Sequence, residues 1–309
     1  MGEIRDLSDI NLEVSLGPIR LKNPVMLASG TCGYGRELAH HLDLNSIGAV
    51  VVKGISLEPR PGNPPPRIFE TPCGLLNAIG LENVGVRAFL KEKLPWLKEQ
   101  GVSTVVNILG NSVEEYKRLS SILSEESQSI LAMEINVSCP NVKAGGVAFG
   151  RTPEGTYEVV RHVVEVTDIP IIVKLSPNVT DITSIAQAAQ DAGAHAISLI
   201  NTILAMAIDI EKKRPLLGNT FGGLSGPAIK PIALRMVWEA HRAVDIPVIG
   251  IGGISTWRDA VEFLMAGASA IQIGTATLVE PGCAKKILDG LTRFMRQKGY
   301  REVEALWID

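Results

Sequence analysis

Short apolar runs alternate with longer amphipathic stretches along the whole chain. The runs fall at residues 25–29, 49–53, 104–108, 132–137, 170–175, 196–200, 247–251 and 270–273. Near-continuous apolar runs of this length suit parallel strands buried on both faces, and the stretches between them read as crossover helices. Eight such units close a (β/α)8 barrel, so the pattern predicts the α/β class and a TIM-barrel architecture.

The predicted helices carry recognisable ends. Ser112 with Glu115 reads as a capping box, and Thr152 followed by Pro153 as an N-cap with proline in the first turn. Gly193 and Gly267 read as C-terminal stops. Ahead of the first barrel strand, residues 12–16 and 19–21 flank Gly17-Pro18, which predicts an N-terminal hairpin that closes the barrel floor. Two connections exceed simple turns, residues 56–83 and 201–226. Long insertions after barrel strands build the active face, and both are assigned there, with surface decoration as the alternative. No interdomain linker interrupts the pattern, so residues 1–309 are expected to form a single barrel domain.

Polar residues or glycines end almost every predicted strand: Ser29, Lys53, Asn107, Asn136, Lys174, Asn201, Gly252 with Gly253, and Gly274 with Thr275. In a barrel these ends converge on one mouth, where the active sites of this architecture lie. The last two strands run into Gly250-Ile-Gly-Gly-Ile-Ser255 and Ile273-Gly-Thr275, and Ser225-Gly226-Pro227 opens the helix before them. Glycines there let backbone N–H groups approach a phosphate. A dinucleotide fingerprint is not met, because Ser255 stands where the third glycine belongs. Lys53 and Lys174 end strands that are otherwise apolar, so each needs an anionic partner, either a ligand or an internal carboxylate such as Glu134.

Composition changes this picture little. With 46% hydrophobic and 20% charged residues and a formal charge of −3, the chain is ordinary for a globular protein and has no basic field for nucleic acid. No apolar run is long enough to span a membrane and no basic-then-apolar leader opens the chain, which points to a cytoplasmic protein. The cysteines Cys32, Cys73, Cys139 and Cys283 are scattered and the five histidines lack ligand spacing, so no metal site is expected. Cys32, Cys73 and Cys283 read as small buried residues. Cys139 differs: Pro140 holds it extended on the loop that leaves a strand, where a thiol can serve as a general base.

These residues together resemble the dihydroorotate dehydrogenases, FMN enzymes of pyrimidine biosynthesis built on a (β/α) barrel. Asn77-Ala-Ile-Gly-Leu81 is similar to the family's substrate loop, and Ile135-Asn-Val-Ser-Cys-Pro-Asn141 to its catalytic loop. Ile251-Gly-Gly-Ile254 and Ile273-Gly-Thr275 are similar to its flavin-phosphate segments. Cysteine at the base position resembles class 1, since class 2 uses serine. The stretch Asn141-Val-Lys-Ala-Gly-Gly146 followed by Phe149-Gly150 resembles the NAD-linked class 1B catalytic subunit.

The resemblance implies FMN contacts by Ser29, Lys53, Gly54, Asn107, Asn136, Lys174, Ile200, Gly226, Gly252, Gly253, Gly274 and Thr275. It implies substrate contacts by Lys53, Asn77, Ala78, Ile79, Gly80, Leu81, Asn136, Asn201 and Thr202. Cys139 would take the C5 proton of dihydroorotate while the C6 hydride goes to FMN. Electrons would reach NAD through a partner subunit carrying FAD and a [2Fe-2S] cluster, two copies of each chain assembling together. Residues 143–150 are expected to close over substrate as a lid. The competing readings are a fumarate-linked class 1A enzyme, a dihydropyrimidine dehydrogenase subunit, and a nonredox barrel that binds a phosphorylated ligand.

Overall fold

The computed structural model describes residues 10–138 and 149–308. Eight parallel strands close a barrel: β1 (Val25–Leu27), β2 (Ala49–Ile55), β3 (Thr104–Ile108), β4 (Ala132–Asn136), β5 (Ile171–Lys174), β6 (Ala196–Leu199), β7 (Val248–Ile251) and β8 (Ala270–Ile273). Each pairs with its neighbours in chain order and β8 returns to β1. Each falls on one of the predicted runs, and β3 and β8 match them end to end. Val50, Val51, Val52, Val105 and Val106 are wholly buried, as strands between a barrel interior and a helical shell must be.

The shell comprises α1 (Leu94–Glu99), α2 (Val113–Ser124), α3 (Pro153–Val164), α4 (Ile182–Asp191), α5 (Lys230–His241), α6 (Trp257–Met265) and α7 (Cys283–Lys298). The first crossover, from β1 to β2, holds only the 3-10 turns Leu38–His40 and Leu44–Ser46. Thr152 caps α3 as expected, its hydroxyl accepting from the Gly155 N–H. The expected capping box at α2 is only half formed: Ser112 accepts from the Glu115 N–H, but the Glu115 carboxylate reaches one residue further back, to the Asn111 N–H at 2.8 Å. The reciprocal box occurs instead at α6, between Thr256 and Asp259. Gly193 and Gly267 take φ of +97° just past α4 and α6.

The N-terminal hairpin pairs Val14–Leu16 with Ile19–Leu21. Its turn sits under the barrel, since a Cβ on Gly17 would lie 3.1 Å from the carbonyl of His195, at the foot of β6. The two long connections are not irregular loops. They contribute Ile68–Thr71, Gly74–Asn77, Ile203–Ala205 and Gly222–Ser225 to one four-stranded antiparallel sheet, in which Gly74–Asn77 pairs with Gly222–Ser225. That pairing binds two insertions distant in sequence into one wall beside the barrel mouth.

α7 packs on α6, and a Cβ on Gly290 would stand 2.4 Å from Cγ of Trp257. Alanine at a helix interior is favoured over glycine by about 1 kcal/mol, whereas overpacking costs about 1–3 kcal/mol. The contact falls on the stem of the indole, which cannot swing clear. Gly290→Ala is therefore expected to lower unfolding free energy in urea despite its higher helix propensity.

Candidate active site at the barrel mouth

The C-terminal strand ends and the antiparallel wall enclose a cavity of about 790 Å³. Every described residue predicted to hold cofactor or substrate lines it, from Ser29 on the first strand end to Gly274 and Thr275 on the last. Cys139, and the lid segment apart from Phe149 and Gly150, lie outside the described residues.

Beneath the cavity is a buried carboxylate. Glu134, in the middle of β4, has no solvent exposure. Its Oε1 accepts from Asn107 Nδ2 at 2.7 Å and lies 3.6 Å from Lys174 Nζ. Its Oε2 accepts from Ser198 Oγ and Gln272 Nε2, each at 2.8 Å. Strand register arranges this, placing Asn107 opposite Glu134 and Ser198 opposite Lys174. The internal partner considered for Lys174 is thus present.

The amide of Asn107 is fixed by its bond to Glu134, which leaves Asn107 Oδ1 buried and without a hydrogen-bond partner. Gly54 is the reason that oxygen has room: a Cβ there would approach it to 2.7 Å. Gly54 and Lys53 sit in a break of register between Val52 and Ile55, so β2 runs past its predicted end while the bulge turns Lys53 toward the mouth. Lys53 Nζ lies 3.7 Å from Glu82, whose carboxylate also accepts from Arg67 at 2.8 Å.

The substrate-loop candidates follow directly. Gly80 and Leu81 both take left-handed φ, +75° and +59°. Asn83 holds this turn from behind, with Nδ2 donating to the Leu81 carbonyl and Oδ1 accepting from the Ser56 and Gly85 N–H groups. Across the mouth, Asn201 Nδ2 donates to Asn136 Oδ1 at 3.3 Å. Asn178 secures the adjoining segment through the Thr202 carbonyl and the Leu204 N–H.

On the opposite side, the N–H groups of Gly253 and Gly274 donate to no described residue. A Cβ on Gly274 would meet only Ala28 Cβ, at 3.6 Å, so the space beside it is open. Gly253 carries a further constraint. A Cβ there would strike Lys230 Cβ at 2.8 Å and the Gly226 carbonyl at 2.9 Å, so its lack of a side chain is required by the protein before any ligand enters. Thr275 Oγ1 donates to Ser225 Oγ at 2.8 Å.

The other thiols divide. Cys32 and Cys283 are buried as expected, and burial pushes them up to about 12 and about 11, which leaves them protonated at neutral pH. Cys73, expected to be buried, is exposed, because it occupies the turn between Ile68–Thr71 and Gly74–Asn77. Glu82 and Asn178 also line the cavity and were not singled out from sequence, and Ser225, noted there only beside Gly226, lines it as well. Glu82 directly follows the substrate-loop motif, and Asn178 lies just past the end of β5, which were the available signals. Among the described residues, no three His, Cys, Asp or Glu side chains gather as a metal site, and no helix is long and apolar enough to cross a membrane.

Cations at one wall, unpaired N–H groups at another and a buried acceptor beneath them form a site that could hold an anionic, polar ligand. The architecture is shared with a solved structure, DHODH of Eimeria tenella in complex with ferulenol, at TM-score 0.78 and 22% identity, over 99% of this chain and 90% of that one. Residues 11–295 match the sequence profile of the family described as dihydroorotate dehydrogenase, and the chain belongs to that family. Relatives from Geotalea uraniireducens and Desulforudis audaxviator, both named dihydroorotate dehydrogenase B (NAD(+)), catalytic subunit, are each 54% identical over 96% of this chain. The matches span 97% and 96% of those relatives, and a Thermoanaerobacter protein of the same name is 53% identical over 96% of this chain and 98% of its own length.

Removing the Glu134 carboxylate would strand the Lys174 ammonium and three polar donors in the barrel interior. Breaking a buried pair from one side costs about 3–5 kcal/mol. Glu134→Ala is expected to lose stability on that scale, read as a lower urea midpoint with an unchanged slope.

Proposed function

We propose that this chain oxidises dihydroorotate to orotate in pyrimidine biosynthesis, using FMN held at the barrel mouth. The observation that carries the reading is the convergence of the described motif residues on one cavity, whose lining includes Asn107 with its buried, unpartnered Oδ1. The residues fit the cofactor. Gly252, Gly253, Gly274 and Thr275 would hold the phosphate, aided by the backbone at Gly226, and Ser29, Gly54, Asn107, Asn136, Lys174 and Ile200 would surround the ring. FMN would supply the hydride acceptor.

The chain's own residues supply the rest. Cys139 takes the proton from C5 as hydride leaves C6, and the electron pair of the C5–H bond becomes the C5=C6 double bond of orotate. Lys53 faces the substrate carboxylate, while Asn77, Asn136 and Asn201 offer both amide donors and acceptors to the pyrimidine edge, with Ala78, Ile79, Gly80, Leu81 and Thr202 completing its pocket. The relatives' names, which specify NAD(+) and a catalytic subunit, support delivery of the electrons to NAD through a separate subunit. We assign FAD and a [2Fe-2S] cluster to that subunit, in a complex with two copies of each chain, and place the enzyme in the cytoplasm.

The test is to add dihydroorotate to the flavin-loaded chain without oxygen. Bleaching of the flavin is expected, followed by reoxidation with NAD only when the partner is present. Bleaching by dihydrouracil instead would assign the chain to dihydropyrimidines, and reoxidation by fumarate alone would remove the partner.

Two substitutions separate cofactor from chemistry. Gly274→Leu fills open space without backbone strain and is expected to yield a folded chain that no longer retains FMN; a full flavin complement would overturn the phosphate assignment. Cys139→Ala is expected to keep FMN and slow flavin reduction by about 10²–10⁴-fold in stopped flow, with Cys139→Ser recovering rate only as pH rises.

A further inference from the structure

The phosphate cradle of the preceding section is assembled from separate loops, and one ion pair behind it joins two of them. Lys230, the first residue of α5, stands four positions after Gly226, and Asp259 lies in the first turn of α6, six positions after Gly253. Lys230 Nζ donates to Asp259 Oδ1 at 2.7 Å and to Glu262 Oε2 at 3.0 Å. The second Asp259 oxygen accepts from the Ser255 N–H, the Thr256 N–H and the Thr256 hydroxyl, at 3.1, 2.8 and 2.9 Å. One carboxylate therefore grips the exit of the Gly252-Gly253 loop with one oxygen and the root of the Gly226 loop with the other.

The loops it joins are in close contact. The Cβ position of Gly253 falls 2.9 Å from the Gly226 carbonyl and 3.0 Å from the Lys230 nitrogen, and both glycines have positive φ, +76° and +90°. The position of the Gly253 N–H thus depends on how tightly α5 and α6 are drawn together. Neither Lys230 nor Asp259 lines the cavity, so neither touches a ligand there. Burial raises the Asp259 carboxyl, but hydrogen bonds led by that from Lys230 outweigh it and hold it below the ordinary carboxylate value, while the bond to Asp259 raises Lys230. Both remain charged at neutral pH.

We infer that the Lys230–Asp259 pair is a positioning device that sets the spacing of the phosphate cradle and so the preference of this chain for a phosphorylated flavin over an unphosphorylated one. The inference rests on the reading that these glycine loops receive the cofactor phosphate. Nothing in it concerns the ring, which the proposed function assigns to other residues.

The test compares FMN and riboflavin binding to the full chain stripped of flavin, by quenching of flavin fluorescence. Lys230→Met keeps the stem against Gly253 and the helix cap intact while removing the charge, and Asp259→Asn weakens both grips. A part-exposed pair is worth up to about 1 kcal/mol, or roughly fivefold in binding. Lys230→Met is expected to weaken FMN about fivefold with riboflavin unchanged, Asp259→Asn to weaken it further, and Lys230→Arg to restore it. A wild-type chain that prefers FMN, with the same preference in Lys230→Met, would overturn the positioning role, as would a parallel loss of both flavins. A wild-type chain indifferent to the phosphate would overturn the cradle itself.

Discussion

A carboxylate without water must be surrounded by donors, and Glu134 imposes that requirement on the centre of this barrel. Its four partners come from β3, β5, β6 and β8, so half of the barrel strands answer to one side chain. An apolar filling of similar volume would serve stability as well or better, because desolvating two charges offsets most of their attraction. What the carboxylate gives instead is orientation. It turns the amide of Asn107 so that an oxygen, not an NH2 group, is presented upward, and it neutralises Lys174 at a depth where a lone ammonium would not be tolerated. The polar layer directly under the mouth is therefore fixed before any ligand arrives.

Above that layer the mouth divides into two halves of different character. The half built on β2 to β6 carries lysines and asparagines and is walled by the antiparallel sheet from the two long connections. The half built on β7 and β8 carries glycines with unpaired N–H groups. A partly exposed side-chain cation such as Lys53 can be re-paired, whereas backbone donors held by helix roots cannot, so the second half suits a resident group and the Lys53 wall a transient one. This division is what makes a bound cofactor beside an exchanging substrate the natural reading of the cavity.

The fold was legible because parallel strands buried on both faces must be largely apolar, and the single polar positions inside them, Asn107, Glu134, Ser198 and Gln272, did not break the runs. The antiparallel sheet was not legible. Its strands are three or four residues long, two of them open on glycine, and the sheet forms only through pairing between insertions far apart in sequence. The same limit explains Cys73, whose exposure follows from a hairpin that sequence did not reveal. Capping signals were legible as types but not as geometry: the acids at Glu115 and Asp259 follow their N-caps by the same spacing, yet only Asp259 folds back onto its own cap. Gly253 carried a signal that sequence could not resolve, since a glycine required by neighbouring backbone, as here, looks identical in sequence to one required by a phosphate.

The two strand-end lysines make the point most sharply. In sequence Lys53 and Lys174 are equivalent, each closing an apolar run. In the fold Lys174 is almost wholly buried against a carboxylate that strand register cannot release, while Lys53 is partly exposed against Glu82, a half-exposed residue of the loop that follows Leu81. Lys174 is consequently held in place by the barrel itself. Lys53 shares its partner with Arg67, so a carboxylate entering the cavity can take Lys53 while Glu82 keeps Arg67. On the proposed function, the permanent charge belongs with the flavin and the exchangeable one with the substrate, an assignment that depends on what each lysine is paired with and not on where it falls in the chain.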